Sequence, residues 1–455
     1  MSDQAMVPSA PRHVVRRDVL RWAVTLGTAV PAASVLSGCG GFTTSGGGKG
    51  GGDLTFMSTQ FTPVEEGERF RKILASAYKD AKVNYVTGDA GQLTTQVKSQ
   101  VQAKQVKINL VGGLHGDLAT LGTDLLEDLS GLAGELAGAG YPEEFQTLGK
   151  LGTGKTFYIP WAQATYVLAV HKDALAWLPA GADVNDLTYD QYLAWAKAAR
   201  QANGGRAMFG FPGGPKGLLH RFLQGYLYPA FTGGQVTTFR SADAVTAWQY
   251  LRELWANCAT ASANYEFMQE PLAAGEVKVG WDHVARLVQA PKDQPDRWVM
   301  APAPKGPKGR AYMAILTGLA IPKGAPDQDR AKTLIKALAK PDTQIEVLRQ
   351  NAFFPTVKTD VPGDLPPAVK LEAEAVRKTQ NGANALLALP PVGLGTKDGQ
   401  VSKVFRDSFT AIVLQHQDIR KTLDSQAAVL QQLLDEAKAP CWAPDPKSDG
   451  ACRVG

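Results

Sequence analysis

The stretch GKLGTGKT, residues 149–156, runs directly into FYIPWAQATYVLAV, residues 157–170, and the reading of this join decides the fold. The first segment satisfies the phosphate-cradle pattern G-x-x-x-x-G-K-[ST] at every required position. That pattern cradles a phosphate only where a buried strand delivers the loop and a helix leaves it, so that backbone N–H groups converge on the anion. Upstream stands YPEEFQTL (141–148), whose Glu143 and Glu144 rule out a strand buried on both faces. Downstream, Pro160 and a run of β-branched and aromatic residues read as a strand rather than a helix. With 47 glycines in 455 residues, a chance match is expected. The segment therefore reads as an exposed turn before a strand, and a nucleotide-binding core is excluded.

The N-terminus points the same way. Arg16 and Arg17 in VVRRDVLRW (14–22) precede a moderately apolar run that ends in Leu36-Ser37-Gly38-Cys39. The run lacks the ~20 apolar residues of a membrane span, and it reads as an export signal covering residues 1–38. The paired arginines resemble a twin-arginine signal, and Leu-Ser-Gly-Cys resembles the bacterial lipoprotein box, which implies lipidation of Cys39. The following GGFTTSGGGKGGGD behaves as a flexible tether of about 20 Å, with residues 39–52 as anchor and linker. A protein held outside the cytoplasm meets little ATP, which weakens the phosphate-cradle reading further.

The remaining residues suffice for two domains of ordinary size. A formal net charge of +5 is too small to argue for nucleic acid. Cys441 and Cys452 form a natural pair in a Pro-rich tail (441–455), and Cys258 reads as a buried core thiol. The six histidines are scattered without ligand spacing, so neither a metal nor a cofactor is expected.

Along the body, LTFMST (54–59), a helix over 67–81, KVNYV (82–86), a helix over 92–105 and the strand VKINLVGG (106–113) alternate as parallel crossover units. This predicts an α/β fold in which ligands meet the carboxyl ends of the strands. A strand over 158–170, a helix over 189–201 and a mainly helical stretch over 215–258 follow. GEVKVGWDHVARL (275–287) reads as a short strand ending at Trp281, then a polar cluster. YMAILTGLAIP (312–322) is β-like, a helix starts near Asp327 or Asp329, and 401–438 reads as one or two helices.

Taken together, FYIPWAQATYVLAVHKDAL (157–175), LAAGEVKVGWDHVARL (272–287), PAPKGPKGRAYMAILTGLAIPKG (302–324) and AKTLIKALAKPDTQIEVLRQNAFFPT (331–356) resemble the extracellular solute-binding lipoproteins of bacterial ABC transporters, in particular the group-1 set that mostly binds sugars. The resemblance implies a two-lobed α/β fold of the periplasmic-binding-protein type, with a ligand cleft between lobes. It places lobe 1 at 53–162 plus 313–380 and lobe 2 at 163–312 plus 381–440. Crossings are expected near 160–165, 312–317 and 380–390. It implies a lipid-anchored, extracytoplasmic, monomeric receptor rather than an enzyme, which passes a carbohydrate or another small polar solute to the transmembrane permease subunits.

Sugar recognition uses flat aromatic faces and planar groups that fork-bond hydroxyls. On that chemistry the candidate ligand residues are Trp161, Trp281, Asp282, His283, Arg286 and Phe354. Gln60, Glu65, His115 and Asp117 join them from the loops after the first and third strands. Plain alternatives accompany each: Trp161 as a core aromatic, Asp282 with Arg286 as an ion pair, Gln60, Glu65 and Glu66 as helix caps, and one of Phe353 and Phe354 buried with the other facing the cleft.

Overall fold

Thr165 splits the apolar run behind the glycine-rich turn into two strands that enter different sheets. The structure, a computed structural model, describes residues 52–380 and 382–455. Its strands in chain order are β1 (Leu54–Ser58), β2 (Val83–Thr87), β3 (Leu110–Leu114), β4 (Ile159–Ala164), β5 (Tyr166–His171), β6 (Phe209–Gly210), β7 (Val279–His283), β8 (Trp298–Ala301), β9 (Arg310–Met313), β10 (Ile315–Ala320) and β11 (Ala385–Ala388). The first sheet has the order β2-β1-β3-β10-β4 and the second β6-β7-β5-β8. A two-stranded parallel ribbon, β9 with β11, stands beside them.

β1 pairs in parallel with β2 and β3, as the crossover reading expects, whereas β10 runs antiparallel to both β3 and β4. The helix Val64–Ala77 buries Phe70, Ile73 and Leu74, one stripe at helical spacing. Capping boxes start two further helices: Asp89 with Gln92 before Ala90–Gln102, and Thr188 with Gln191 before Tyr189–Ala202.

The chain changes sheet at two adjacent points: at Thr165 it leaves the first sheet for the second, between β4 and β5, and at Ala314 it enters the first sheet from the ribbon, between β9 and β10. A small network ties them together. Thr165 Oγ1 donates to the Met313 carbonyl at 2.8 Å, and the Tyr166 N–H donates to the Tyr226 hydroxyl at 3.0 Å. Gly225 allows this approach, since a Cβ there would meet the Met313 side chain at 2.5 Å.

Several expectations are corrected. The strand expected over 158–170 is two strands, because the bend at Thr165 redirects hydrogen bonding from one sheet to the other. The strand expected to end at Trp281 continues through His283, since Asp282 and His283 pair with Val167 and Tyr166. β3 starts at Leu110, later than the apolar pattern suggested. The third crossing does not lie at 380–390. The helix Pro367–Gln380 packs on β8 and β5 of the second sheet, so the chain has already crossed between Phe354 and Pro367. Asp327 occupies an N-cap position but is left-handed and makes no side-chain cap.

The phosphate-cradle look-alike is neither loop nor strand throughout. Gly149 ends the helix Glu143–Gly149, and the Lys155 ammonium lies 3.0 Å from Asp128 on the surface. An exposed pair of this kind contributes under about 1 kcal/mol. Lys155→Ala should therefore leave solute affinity unchanged and the melting transition within about 0.5 kcal/mol of wild type. A loss of affinity in calorimetry would restore a functional role for the turn.

In the tail, Cys441 and Cys452 are joined by a disulfide. Asp445, which lies inside that loop, accepts from the backbone N–H groups of Gln235 and Thr237 at 2.8 Å each. The Trp442 indole donates to Gln235 Oε1 at 3.1 Å. The tail is thus stapled onto the second half of the molecule. Cys258 is buried, and burial pushes its thiol well above the ordinary range. The expected export signal, Cys39 and the tether up to residue 51 lie outside the described residues.

Candidate functional site

The carboxyl ends of β1 and β3 present two polar loops toward the second sheet. Beyond Ser58 the chain turns through Phe61, which adopts φ 52, and enters the helix Val64–Ala77 without a side-chain cap. Gln60 and Glu65 are thus not capping groups. Gln60 donates its amide to Thr59 Oγ1 at 3.0 Å and is half-buried, while Glu65 is exposed in the first helical turn. Its neighbour Glu66 turns inward. Burial raises the Glu66 carboxyl above its ordinary value, against the opposing pull of Arg69 and Arg286.

At the end of β3, Asp117 Oδ2 accepts from Thr59 Oγ1 at 2.8 Å and from the Leu114 N–H at 2.9 Å. Burial nonetheless pushes its pKa up to about 6. His115 shares a 2.9 Å hydrogen bond between Nδ1 and the Tyr158 hydroxyl, and burial lowers its pKa to about 4.

From the second sheet come Asp282 and His283 at the end of β7, then the short helix Val284–Leu287 with Arg286. Asp282 does not pair with Arg286. Its two oxygens accept from the backbone of Met268 at 3.0 Å and of His283 at 2.8 Å. Burial raises Asp282 to about 6, with Arg286 lowering it only in part. His283 Nδ1 accepts from the Ala285 N–H at 3.2 Å, which assigns its proton to Nε2, and burial lowers its pKa to about 3. Arg286 makes no ion pair or hydrogen bond among the described residues. Its guanidinium lies 4.5 Å over the Phe267 ring, and Nη1 is buried without a partner.

Aromatic rings connect the two sides in an unbroken line. Trp161 and Phe61 are 6.1 Å apart, Phe61 and Phe353 5.0 Å, Phe353 and His283 5.7 Å, and His283 and Tyr166 5.2 Å. Tyr166 then stacks on Trp281 at 4.7 Å with the planes 5° apart. Of the two phenylalanines it is Phe353 that enters this line. Both are buried, and Phe354 instead exchanges backbone hydrogen bonds with Gln163. Trp161 and Trp281 sit within strands and are 1% and 0% exposed, so neither presents a face to solvent.

Three contributors were not legible as such: Tyr166, Arg221 and Gln224. Arg221 donates to Gln224 Oε1 at 3.0 Å and lies 3.7 Å from Asp398. A signal did exist, since Arg221 and Gln224 interrupt an otherwise apolar helical run, where a buried polar group demands a partner. Around the aromatic line, Trp161 Nε1, Trp281 Nε1, Gln224 Nε2 and Arg286 Nη1 are buried donors without acceptors among the described residues. Such donors are costly unless something accepts from them.

The buried acids make a pH prediction. An aspartate raised from 3.8 to about 6 stabilises the folded state fully below pH 3.8, and this contribution is lost as pH rises to about 6. The neutral buried His115 and His283 act with the opposite sign, since the unfolded chain takes up their protons below about 6.5. The two sets oppose each other in the wild type. Asp282→Asn removes one of the two raised aspartates and leaves Asp117, so the variant should gain stability relative to wild type as pH rises from 4 to 6 and run parallel above that. A difference in denaturation free energy that stays flat across this window would refute the shift.

No curated protein matches the sequence. Several solved structures share its fold. A maltose-bound MalE3 of T. maritima superposes with a TM-score of 0.66 at 22% identity, covering 84% of this chain and 100% of that one. The GacH receptor of Streptomyces glaucescens, studied unliganded and with acarbose, gives 0.65 at 15% identity over 84% and 98%. A Listeria monocytogenes ABC substrate-binding protein in complex with cycloalternan gives 0.66 at 14% over 84% and 98%. The two-lobed α/β architecture is thus shared with these structures. The sequence itself matches the bacterial extracellular solute-binding protein family over residues 62–345, and the chain belongs to that family.

Proposed function

We propose that this protein captures a sugar or sugar-like solute between its two lobes and delivers it to the permease of an ABC importer, without chemistry on the solute. The observation that carries this reading is the pair of buried donors Arg286 Nη1 and Gln224 Nε2, without acceptors among the described residues, near the line of aromatic rings. Hydroxyl and ring oxygens accept from such donors, and C–H-rich sugar faces pack on such rings. The shared fold of maltose-, acarbose- and cycloalternan-bound structures supports the same class. Closure occurs by hinge motion at Thr165, Ala314 and the 354–366 segment, which together separate the lobes.

Binding residues in this reading are Arg286, Gln224, Arg221, Asp117 and Glu66, with Phe61, Phe353 and His283 lining the closed cleft. A thermal-shift screen over mono- and oligosaccharides, with product analysis, tests it. Saturable stabilisation by one sugar without turnover is expected, and turnover or the absence of any sugar response would sink it. Arg286 supports a second reading, a small organic anion, because its guanidinium has no acceptor among the described residues. Anion affinity would fall steeply with salt, and sugar affinity hardly at all.

The export signal and Leu36-Ser37-Gly38-Cys39 support anchoring by a lipid on Cys39 at the outer face of the membrane. Cys39→Ala should release the protein into the medium, and full retention in the membrane fraction would argue against the anchor.

A further inference from the structure

A separate cavity of about 640 Å³ lies at the end of the β9–β11 ribbon, and none of the aromatic line contributes to it. Two facing turns wall it. In one, Gly306 and Gly309 exchange backbone hydrogen bonds of 2.9 and 3.1 Å, which puts Pro307 and Lys308 at the tip. In the other, the Ala385 N–H donates to the Gly382 carbonyl at 3.1 Å. The Arg310 N–H donates to the Asn384 carbonyl at 3.1 Å and ties the turns together. Gly309, at φ 129, permits this approach, since a Cβ there would meet Asn384 O at 2.4 Å.

The wall carries three cations, Lys305, Lys308 and Arg310, and one acid, Asp186. Asp186 spends one oxygen on each of two cations, taking Arg310 Nη2 and Lys305 Nζ at 2.7 Å each. This holds a guanidinium and an ammonium side by side. Lys308 lies 3.4 Å from Asp243, and Lys378 donates to Asn185, next to Asp186, at 3.0 Å. The Arg310 side chain is only 6% exposed, yet its Nε has no acceptor among the described residues. A guanidinium and an ammonium braced by one carboxylate, with Lys308 on the same wall, leave the lining net positive, which suits a planar or tetrahedral oxyanion.

We propose that this cavity is a second binding site, for a small oxyanion of the phosphate class, gripped by Arg310, Lys305 and Lys308. Asp186 is the positioning residue that keeps Arg310 and Lys305 together. Because β9 continues through Ala314 into the first sheet, an anion here braces the ribbon beside one of the crossings. The site is independent of the sugar reading, and its failure would leave that reading intact.

The test is a titration of the purified protein with inorganic phosphate, followed by ³¹P NMR and thermal melting, against chloride at equal ionic strength. Saturable phosphate binding with a melting shift absent in chloride is expected, with sulfate reproducing it if any compact dianion serves. The double variant Lys305→Gln, Lys308→Gln changes two partly exposed side chains, and Lys308→Gln alone serves if the double variant melts early in chloride. Either should weaken phosphate binding about tenfold or more, with sugar affinity unchanged. Equal shifts in both salts, unaltered phosphate affinity in the variants, or displacement of phosphate by the sugar would each overturn the assignment.

Discussion

Trp281→Ala should destabilise the protein by about 3–5 kcal/mol, the cost of deleting a fully buried tryptophan. The indole is 0% exposed, stacks on Tyr166, and meets the rings of Phe222 and Tyr226 edge-on at 5.1 and 5.2 Å. Removing it leaves a cavity under both the crossing strand and the helical run 219–232, where the surrounding rings cannot all collapse inward. Trp281→Phe should recover much of the loss by refilling that space. Chemical denaturation followed by circular dichroism measures both. An alanine variant within about 0.5 kcal/mol of wild type, with affinity alone reduced, would show that the indole faces ligand rather than core. The sequence chemistry favoured that platform role, and burial on all sides reverses it.

Arg286→Ala should do the opposite: leave the unliganded protein nearly as stable as wild type and weaken solute binding about 10–100-fold. Among the described residues the guanidinium has no acceptor to lose; what goes is its contact with the Phe267 ring, a contribution of about 0.5–1 kcal/mol, and its partial pull on the Asp282 and Glu66 carboxyls. Any ligand that accepts from it loses a charge-assisted hydrogen bond in a partly desolvated site. Arg286→Lys should recover part of the affinity, since it restores charge without the planar fork. Isothermal titration with the solute found by screening reads the change directly. Unchanged affinity, or a large fall in melting temperature, would move Arg286 from the binding surface to the scaffold.

Much of the architecture was readable from local chemistry alone. The alternation of 54–113, with its helix stripe of Phe70, Ile73 and Leu74, specifies parallel crossover units because each pattern buries only one way. Pro160 and the β-branched run behind it suffice to deny the glycine-rich turn a phosphate. The candidate site was legible as a set of strand ends, with Asp117 just after β3 and Asp282, His283 and Arg286 at and just after the end of β7. Their roles were not, because a polar residue after a strand has the same sequence signature whether it bonds backbone, as Asp282 does, or remains unpaired, as Arg286 does.

What the chain decides by itself is the set of strands and helices and the order in which they come, since propensity, periodicity and capping act over a few residues. What only the tertiary structure decided is which sheet each strand joins, where the chain crosses for the third time, and that Trp281 is core while Arg286 is idle. Those outcomes turn on partners tens to hundreds of residues away, such as Thr165 with Met313 or Asp445 with Gln235. Burial and hydrogen-bond satisfaction are properties of that assembled neighbourhood rather than of any segment within it.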